Sequence, residues 1–194
     1  MATKPKLLVF AGATRDGSFN KKLARLAAKA AGDAGADVTL VDLKDYPMPL
    51  YDGDDESASG LPPKALEFKK LVKEADGFII ASPEYNSGYS GVLKNTIDWA
   101  SRPSEAGEGS AAAFAGKYAG IMAASPGALG GLRGLYALRE LLMNISVTVL
   151  PRMQAVGGAG AAFNDDGTLK DEKFAKGVAG VAQDLVKTLQ KLKA

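Results

Sequence analysis

What most constrains this chain is a regular alternation of short apolar runs with longer segments of helical period. Residues 6–11 form a continuous apolar run, the mark of a strand covered on both faces in a parallel sheet. Residues 37–41, 77–81, 118–124 and 146–150 predict four more strands. Between and after them, residues 20–34, 63–74, 92–101, 131–144 and 171–192 predict five helices. Pro63 stands in the first turn of its helix, where proline is accepted. The last helix places Phe174, Val178, Val181, Leu185, Leu189 and Leu192 on one face. No repeat or linker divides residues 1–194, so one α/β domain with a doubly wound, five-stranded parallel sheet is expected. Right-handed crossovers then gather the strand-to-helix loops at the carboxyl edge of the sheet, where a ligand is expected to sit.

The chemistry available at that edge is narrowed by what the chain lacks. Its 194 residues include no cysteine and no histidine. Disulfides, thiolate nucleophiles, zinc sites of the usual kind and a Ser-His-Asp triad are thereby excluded. Catalysis must rest on carboxylates, lysine, tyrosine or a bound cofactor. Twenty-four basic and 22 acidic residues leave a net charge of +2. The basic residues form no stripe, which argues against nucleic acid; the lysines of 170–193 read as a solvated helix face. No run approaches the roughly 18 apolar residues of a membrane span, and residues 7–13 are too short for a signal-peptide core with its flanks. A cytoplasmic protein is expected.

The loop after the first strand, 12–20, offers glycines, hydroxyls, an amide and an arginine at the start of a helix. Free backbone N–H groups and the helix dipole there can hold an anion. A turn merely capped by Ser18 or Asn20 explains the same residues. Two nucleotide motifs fail. Gly12 and Gly17 have P-loop spacing, but Ser18 and Phe19 stand where lysine and Ser/Thr belong. Thr14 occupies the second glycine of a dinucleotide fingerprint, which leaves Asp42 weak as a ribose ligand. The loop after the third strand, 82–91, carries Pro83 and two glycines that let backbone approach a flat ligand, with Tyr85 and Tyr89 as aromatic faces. In the following helix, Trp99 reads as a core or interface aromatic.

Gly12-Ala13-Thr14-Arg15-Asp16-Gly17-Ser18-Phe19-Asn20, Pro83-Glu84-Tyr85-Asn86 and Leu93-Lys94-Asn95-Thr96-Ile97-Asp98-Trp99 together resemble the NAD(P)H-dependent FMN reductase family. This is a flavodoxin-like group that includes quinone, chromate and azo-dye reductases. The resemblance implies FMN as cofactor and NADPH or NADH as co-substrate. Arg15, Ser18 and Asn20, with the backbone of Ala13, Thr14 and Phe19, would hold the FMN phosphate. Pro83, Glu84, Tyr85 and Asn86 would line the isoalloxazine ring, largely through backbone groups. A third family element appears as 125–133, in which Ser125 and Gly127 would approach the flavin from the other side.

Two positions depart from the family pattern. Ala13 replaces a serine and removes one hydroxyl donor. Ser90 replaces a proline and is expected to loosen the loop bordering the nicotinamide. The absence of histidine and cysteine agrees with flavin chemistry, where the protein supplies binding, orientation and electrostatics; no catalytic acid or base and no metal is assigned. Acceptors implied are quinones, free flavins, azo compounds, ferric complexes or chromate. Residues 132–143 are apolar on most sides, so a second subunit is expected over them, as a homodimer or homotetramer. A flavodoxin-like electron carrier is the alternative, although such carriers are strongly acidic. A scaffold that kept only the fold is a third reading.

Overall fold

The computed structural model describes residues 3–193, and its layers follow from the hydropathy of the strands. β1 (Lys6–Ala11), β2 (Asp37–Asp42), β3 (Gly77–Ala81), β4 (Tyr118–Ala124) and β5 (Thr148–Val156) form one sheet in the order β2-β1-β3-β4-β5. Every pairing is parallel. The three central strands are buried almost throughout, whereas β2 and β5 at the edges are partly exposed. Strands apolar on both faces need a helical layer on each.

The described helices are α1 (Phe19–Asp33), α2 (Gly53–Ser59), α3 (Pro63–Glu74), α4 (Gly91–Ser101), α5 (Leu132–Asn144), α6 (Ala159–Ala162) and α7 (Glu172–Leu192). On one face, Leu23, Ala27 and Ala31 of α1 and Val178, Val181, Leu185 and Leu189 of α7 pack onto Leu7, Val9 and Ile79. On the other, α3, α4 and α5 bring Phe68, Ile97 and Leu138 against Leu8, Phe10, Phe78 and Ile121. None of the described helices is long and apolar enough to cross a membrane.

The fifth strand differs from expectation by continuing past Leu150 through Pro151 to Val156. Its register against β4 shifts between Ala119 and Ile121, so residues 150–152 bulge out of the ladder. Proline lacks the N–H a ladder needs but is tolerated at a bulge on an edge strand. Residues 53–59, outside every strand and helix expected from the sequence, form α2; the Asp52 carboxylate accepts the Asp54 N–H at 2.8 Å, and Asp54, Asp55 and Glu56 suit the positive end of the helix dipole.

The segment joining α4 to β4 is anchored by a buried ion pair. Lys69, 2% exposed, meets Glu108 at 2.7 Å, and Glu108 also accepts from the Ser104 N–H at 2.7 Å. The hydrogen bond from Lys69 is the chief reason the Glu108 carboxyl titrates well below its ordinary value of 4.5. A carboxyl lowered in the folded state adds stability above its unfolded pKa and loses it as the pH falls through the folded one. Urea unfolding free energy is therefore expected to drop as the pH is lowered below 4.5, and Glu108→Gln should flatten that acid limb. An acid limb unchanged in the variant would remove Glu108 from the account.

In this strand order the chain turns outward in both directions from β1 and β3. α1 leaves β1 toward one face and α4 leaves β3 toward the other. Their loops diverge and open a crevice at the carboxyl edge.

Candidate functional site

Three loops line a cavity of about 200 Å³ in that crevice. The first contributes Ala13, Arg15, Ser18, Phe19 and Asn20; the second Pro83, Glu84 and Tyr85; the third Ser125 and Pro126, with Ala124 at its root. Thr14, Asn86 and Gly127, named with these from the sequence, lie outside the lining. Thr14 turns its carbonyl away, where it accepts from Lys21 Nζ at 3.0 Å. Asn86 is at a turn tip, and the Gly127 carbonyl accepts from Gly130 and Gly158 N–H groups. The lining also includes Ala124 and Pro126, which carry no signal in the sequence beyond adjacency to Ser125.

At the first loop the donors are uncommitted. Ser18 is the N-cap of α1 and is 5% exposed, yet its side chain makes no capping hydrogen bond. No acidic residue occupies the first turn of the helix. The hydroxyl and the first-turn N–H groups are thus free to meet an anion, aided by the dipole. Arg15 is exposed, has no ion pair among the described residues, and lies 5.7 Å from the Phe19 ring centroid. Gly12 lets this loop press against α4: a Cβ there would stand 3.0 Å from the Leu93 side chain.

The second loop presents an aromatic face on a tight turn. Tyr85 and Gly88 exchange backbone hydrogen bonds at 2.9 and 3.0 Å. Between them Asn86 (φ 50°) and Ser87 (φ 66°) are both left-handed, as a two-residue type I′ turn requires. The ring of Tyr85 stays 61% exposed. Non-glycine residues held in this region cost about 1–3 kcal/mol each and cluster at functional sites.

Several side chains serve the frame of the site. Asn20, 3% exposed, donates from Nδ2 to the Ala124 carbonyl and accepts the Ala124 N–H at Oδ1, both at 2.9 Å. Both the nitrogen and the oxygen of its amide are thus tied to Ala124, which fixes its orientation in the cavity lining. Glu84 accepts from Arg133 Nε at 2.9 Å and Nη2 at 2.6 Å, and from the Gly134 N–H at 2.9 Å. Burial opposes ionisation of Glu84, but the Gly134 N–H and Arg133 outweigh it and hold its carboxyl below the ordinary value.

Ser90 corrects an expectation. It does not loosen its loop: its hydroxyl donates to the Gly12 carbonyl at 2.6 Å and accepts the Leu93 N–H at 3.2 Å, capping α4. Proline could make neither bond. Trp99 is a core residue, 1% exposed, and its Nε1 donates to the Pro49 carbonyl at 2.8 Å. Asn95 grips the same carbonyl at 2.8 Å and accepts the Tyr51 N–H at 2.8 Å. These two residues of the 93–99 motif therefore fix the loop before α2.

A larger cavity of about 430 Å³ opens at the β2 edge, lined in part by Lys21, Arg25, Asp42 and Tyr46. Its buried cation is already committed, Lys21 lying 2.6 Å from Asp42 and bonded to Thr14. The smaller cavity differs in lying at the uncapped N-terminus of α1.

Known proteins resemble this chain over most of its length. The family model described as NADPH-dependent FMN reductase matches residues 5–161. An NAD(P)H-dependent FMN reductase of Pseudomonas aeruginosa is 37% identical over 174 residues, 89% of each chain. A quinone reductase of Escherichia coli is 35% identical over 159 residues, covering 81% of this chain and 80% of its own. Among solved structures, FerB of Paracoccus denitrificans, a flavoenzyme NAD(P)H:(acceptor) oxidoreductase, superposes with a TM-score of 0.80 at 29% identity, over 96% of this chain and 98% of FerB.

Proposed function

Because the chain belongs to the NADPH-dependent FMN reductase family, we propose that the crevice at the carboxyl edge of its sheet is where it holds FMN, and that small acceptors are reduced there. The protein is an NAD(P)H-dependent oxidoreductase with FMN as cofactor and NADPH or NADH as co-substrate. Held between Arg15 and Ser18 on one side and Pro83 and Tyr85 on the other, FMN would supply the redox chemistry that links the nicotinamide to the acceptor.

The observation that carries the placement is the uncapped N-terminus of α1. The hydroxyl of Ser18, which makes no capping bond, free first-turn N–H groups, and Arg15, which has no ion pair among the described residues, form a donor set suited to a phosphate monoester. Ala13 contributes backbone where the family pattern has a hydroxyl. The wall opposite suits a flat ring: Pro83 and Tyr85 on one loop, Ser125 and Pro126 on the other. These residues bind, orient and exclude water; no side chain here is assigned a proton-transfer step.

Quinones are the acceptors best supported, on the likeness to quinone reductases. Free flavins, azo compounds, ferric complexes and chromate belong to the same reading, with Tyr85 an exposed aromatic in the cavity lining. The electron-carrier alternative is not favoured by relatives that are named reductases. A cytoplasmic location goes with the NAD(P)H pools such an enzyme draws on. We also infer a homodimer or homotetramer. Leu129, Tyr136 and Met143, spaced by seven, are 54%, 60% and 60% exposed along and just before α5, and such an apolar stripe fits a subunit contact. Sedimentation velocity should read more than a monomer.

The purified protein supplied with FMN should turn yellow, and its visible flavin absorbance should bleach on adding NADPH without air. Quinone should then restore the colour. Flavin that binds but bleaches only slowly would favour the carrier, and failure to bind FMN would end the proposal.

A further inference from the structure

Around the cavity, each pair of its three loops, or of the element ends that flank them, is joined by one buried polar side chain. Ser90, 1% exposed, ties the second loop to the first through the Gly12 carbonyl at 2.6 Å. Asn20, at the exit of the first loop, ties it to the root of the third by a two-point bond with Ala124, 2.9 Å at each point. Glu84, its side chain 8% exposed, ties the second loop to the first turn of α5, into which the third loop runs, through Arg133 at 2.6 Å and the Gly134 N–H at 2.9 Å. The links close a triangle.

We propose that Ser90, Asn20 and Glu84 form a closed brace that holds the crevice in its FMN-accepting shape before the cofactor arrives. They are positioning residues, and the inference rests on the crevice being the FMN site. In a triangle, any single link can be cut while all three loops stay connected through the other two. Cutting two links leaves one loop joined to the others only by its strands. Affinity that depends on preorganisation should therefore fall gently in single variants and steeply in doubles.

The ligand-free protein and its Ser90→Ala, Glu84→Ala and double variants are titrated with FMN by flavin fluorescence quenching, with urea unfolding run alongside. Each single variant should weaken FMN binding about 3- to 10-fold, the worth of a typical net hydrogen bond. The double should exceed the product of the singles by about threefold or more, since coupled residues are non-additive. Ser90→Thr, which keeps the hydroxyl, should restore affinity. Factors that simply multiply, or a loss of urea stability with FMN affinity untouched, would overturn the brace. Should the wild-type chain bind no FMN, the proposed function fails by itself. Amide hydrogen exchange of residues 13–18 and 84–88 in the ligand-free protein then reads the brace directly. Faster exchange in the double than the singles predict supports it, and unchanged exchange overturns it.

Discussion

Replacing Ser18 with aspartate should cost the protein its FMN while leaving the fold as stable as before or slightly more so. Ser18 sits at the N-cap of α1 in extended conformation, φ −65° and ψ 127°, without using its side chain as a cap. An aspartate at that position caps the helix, a gain of about 1 kcal/mol. The carboxylate would take the same first-turn N–H groups that a phosphate needs and would set a like charge beside it. One lost charge-assisted hydrogen bond is worth about 1.5–3 kcal/mol, and the repulsion adds to it. FMN affinity should therefore fall at least about 100-fold, while the thermal midpoint of the ligand-free protein holds or rises. Arg15→Ala, which removes an exposed and screened cation, should weaken binding more mildly, about 10-fold. Normal FMN binding by Ser18→Asp, read by fluorescence quenching, would remove the phosphate from the α1 N-terminus.

The second large effect is expected at Gly131, where stability and site meet. Gly131 precedes α5 with φ 93°, and a Cβ built on it would lie 2.7 Å from the Cβ of Ala123, buried near the carboxyl end of β4. Alanine there meets both a left-handed backbone and a collision with buried β4. Backbone strain and overpacking each cost about 1–3 kcal/mol, so Gly131→Ala should destabilise by about 2–6 kcal/mol. For a chain of this length that corresponds to a thermal midpoint lower by roughly 4–24 °C. Gly107, with φ 81° and nothing within 4 Å of its Cβ position, isolates the strain from the collision. Gly107→Ala should cost only about 1 kcal/mol. Equal losses at the two positions would mean that the contact with Ala123 has no weight. Because Gly131 also begins the turn that presents Gly134 to Glu84, FMN affinity should fall with stability in the first variant alone.

The architecture was legible because it is local and periodic. Continuous apolar runs predicted strands covered on both faces, and β1, β3 and β4 are buried accordingly. The helix at 63–74 matches to the residue. Where the reading failed, composition misled it: Pro151 lies inside a strand because an edge bulge spares it a ladder bond, and the Gly-Asp-Ser run at 53–59 is a helix because Asp52 caps it. The candidate site was legible as motifs, and the three loops bearing them do converge on one cavity.

What the sequence determined by itself was the order and type of the elements, and hence which loops share the carboxyl edge of the sheet. What only the tertiary structure decided was the task of each side chain within those loops. Asn20 finds its partner 104 residues away, Ser90 finds Gly12 across 78, and Glu84 finds Arg133 across 49. Apolar periodicity is written into neighbouring residues, so it is read from the chain directly. A hydrogen bond depends on angles and on a few tenths of an ångström between groups that only folding brings together, and no spacing along the chain encodes that.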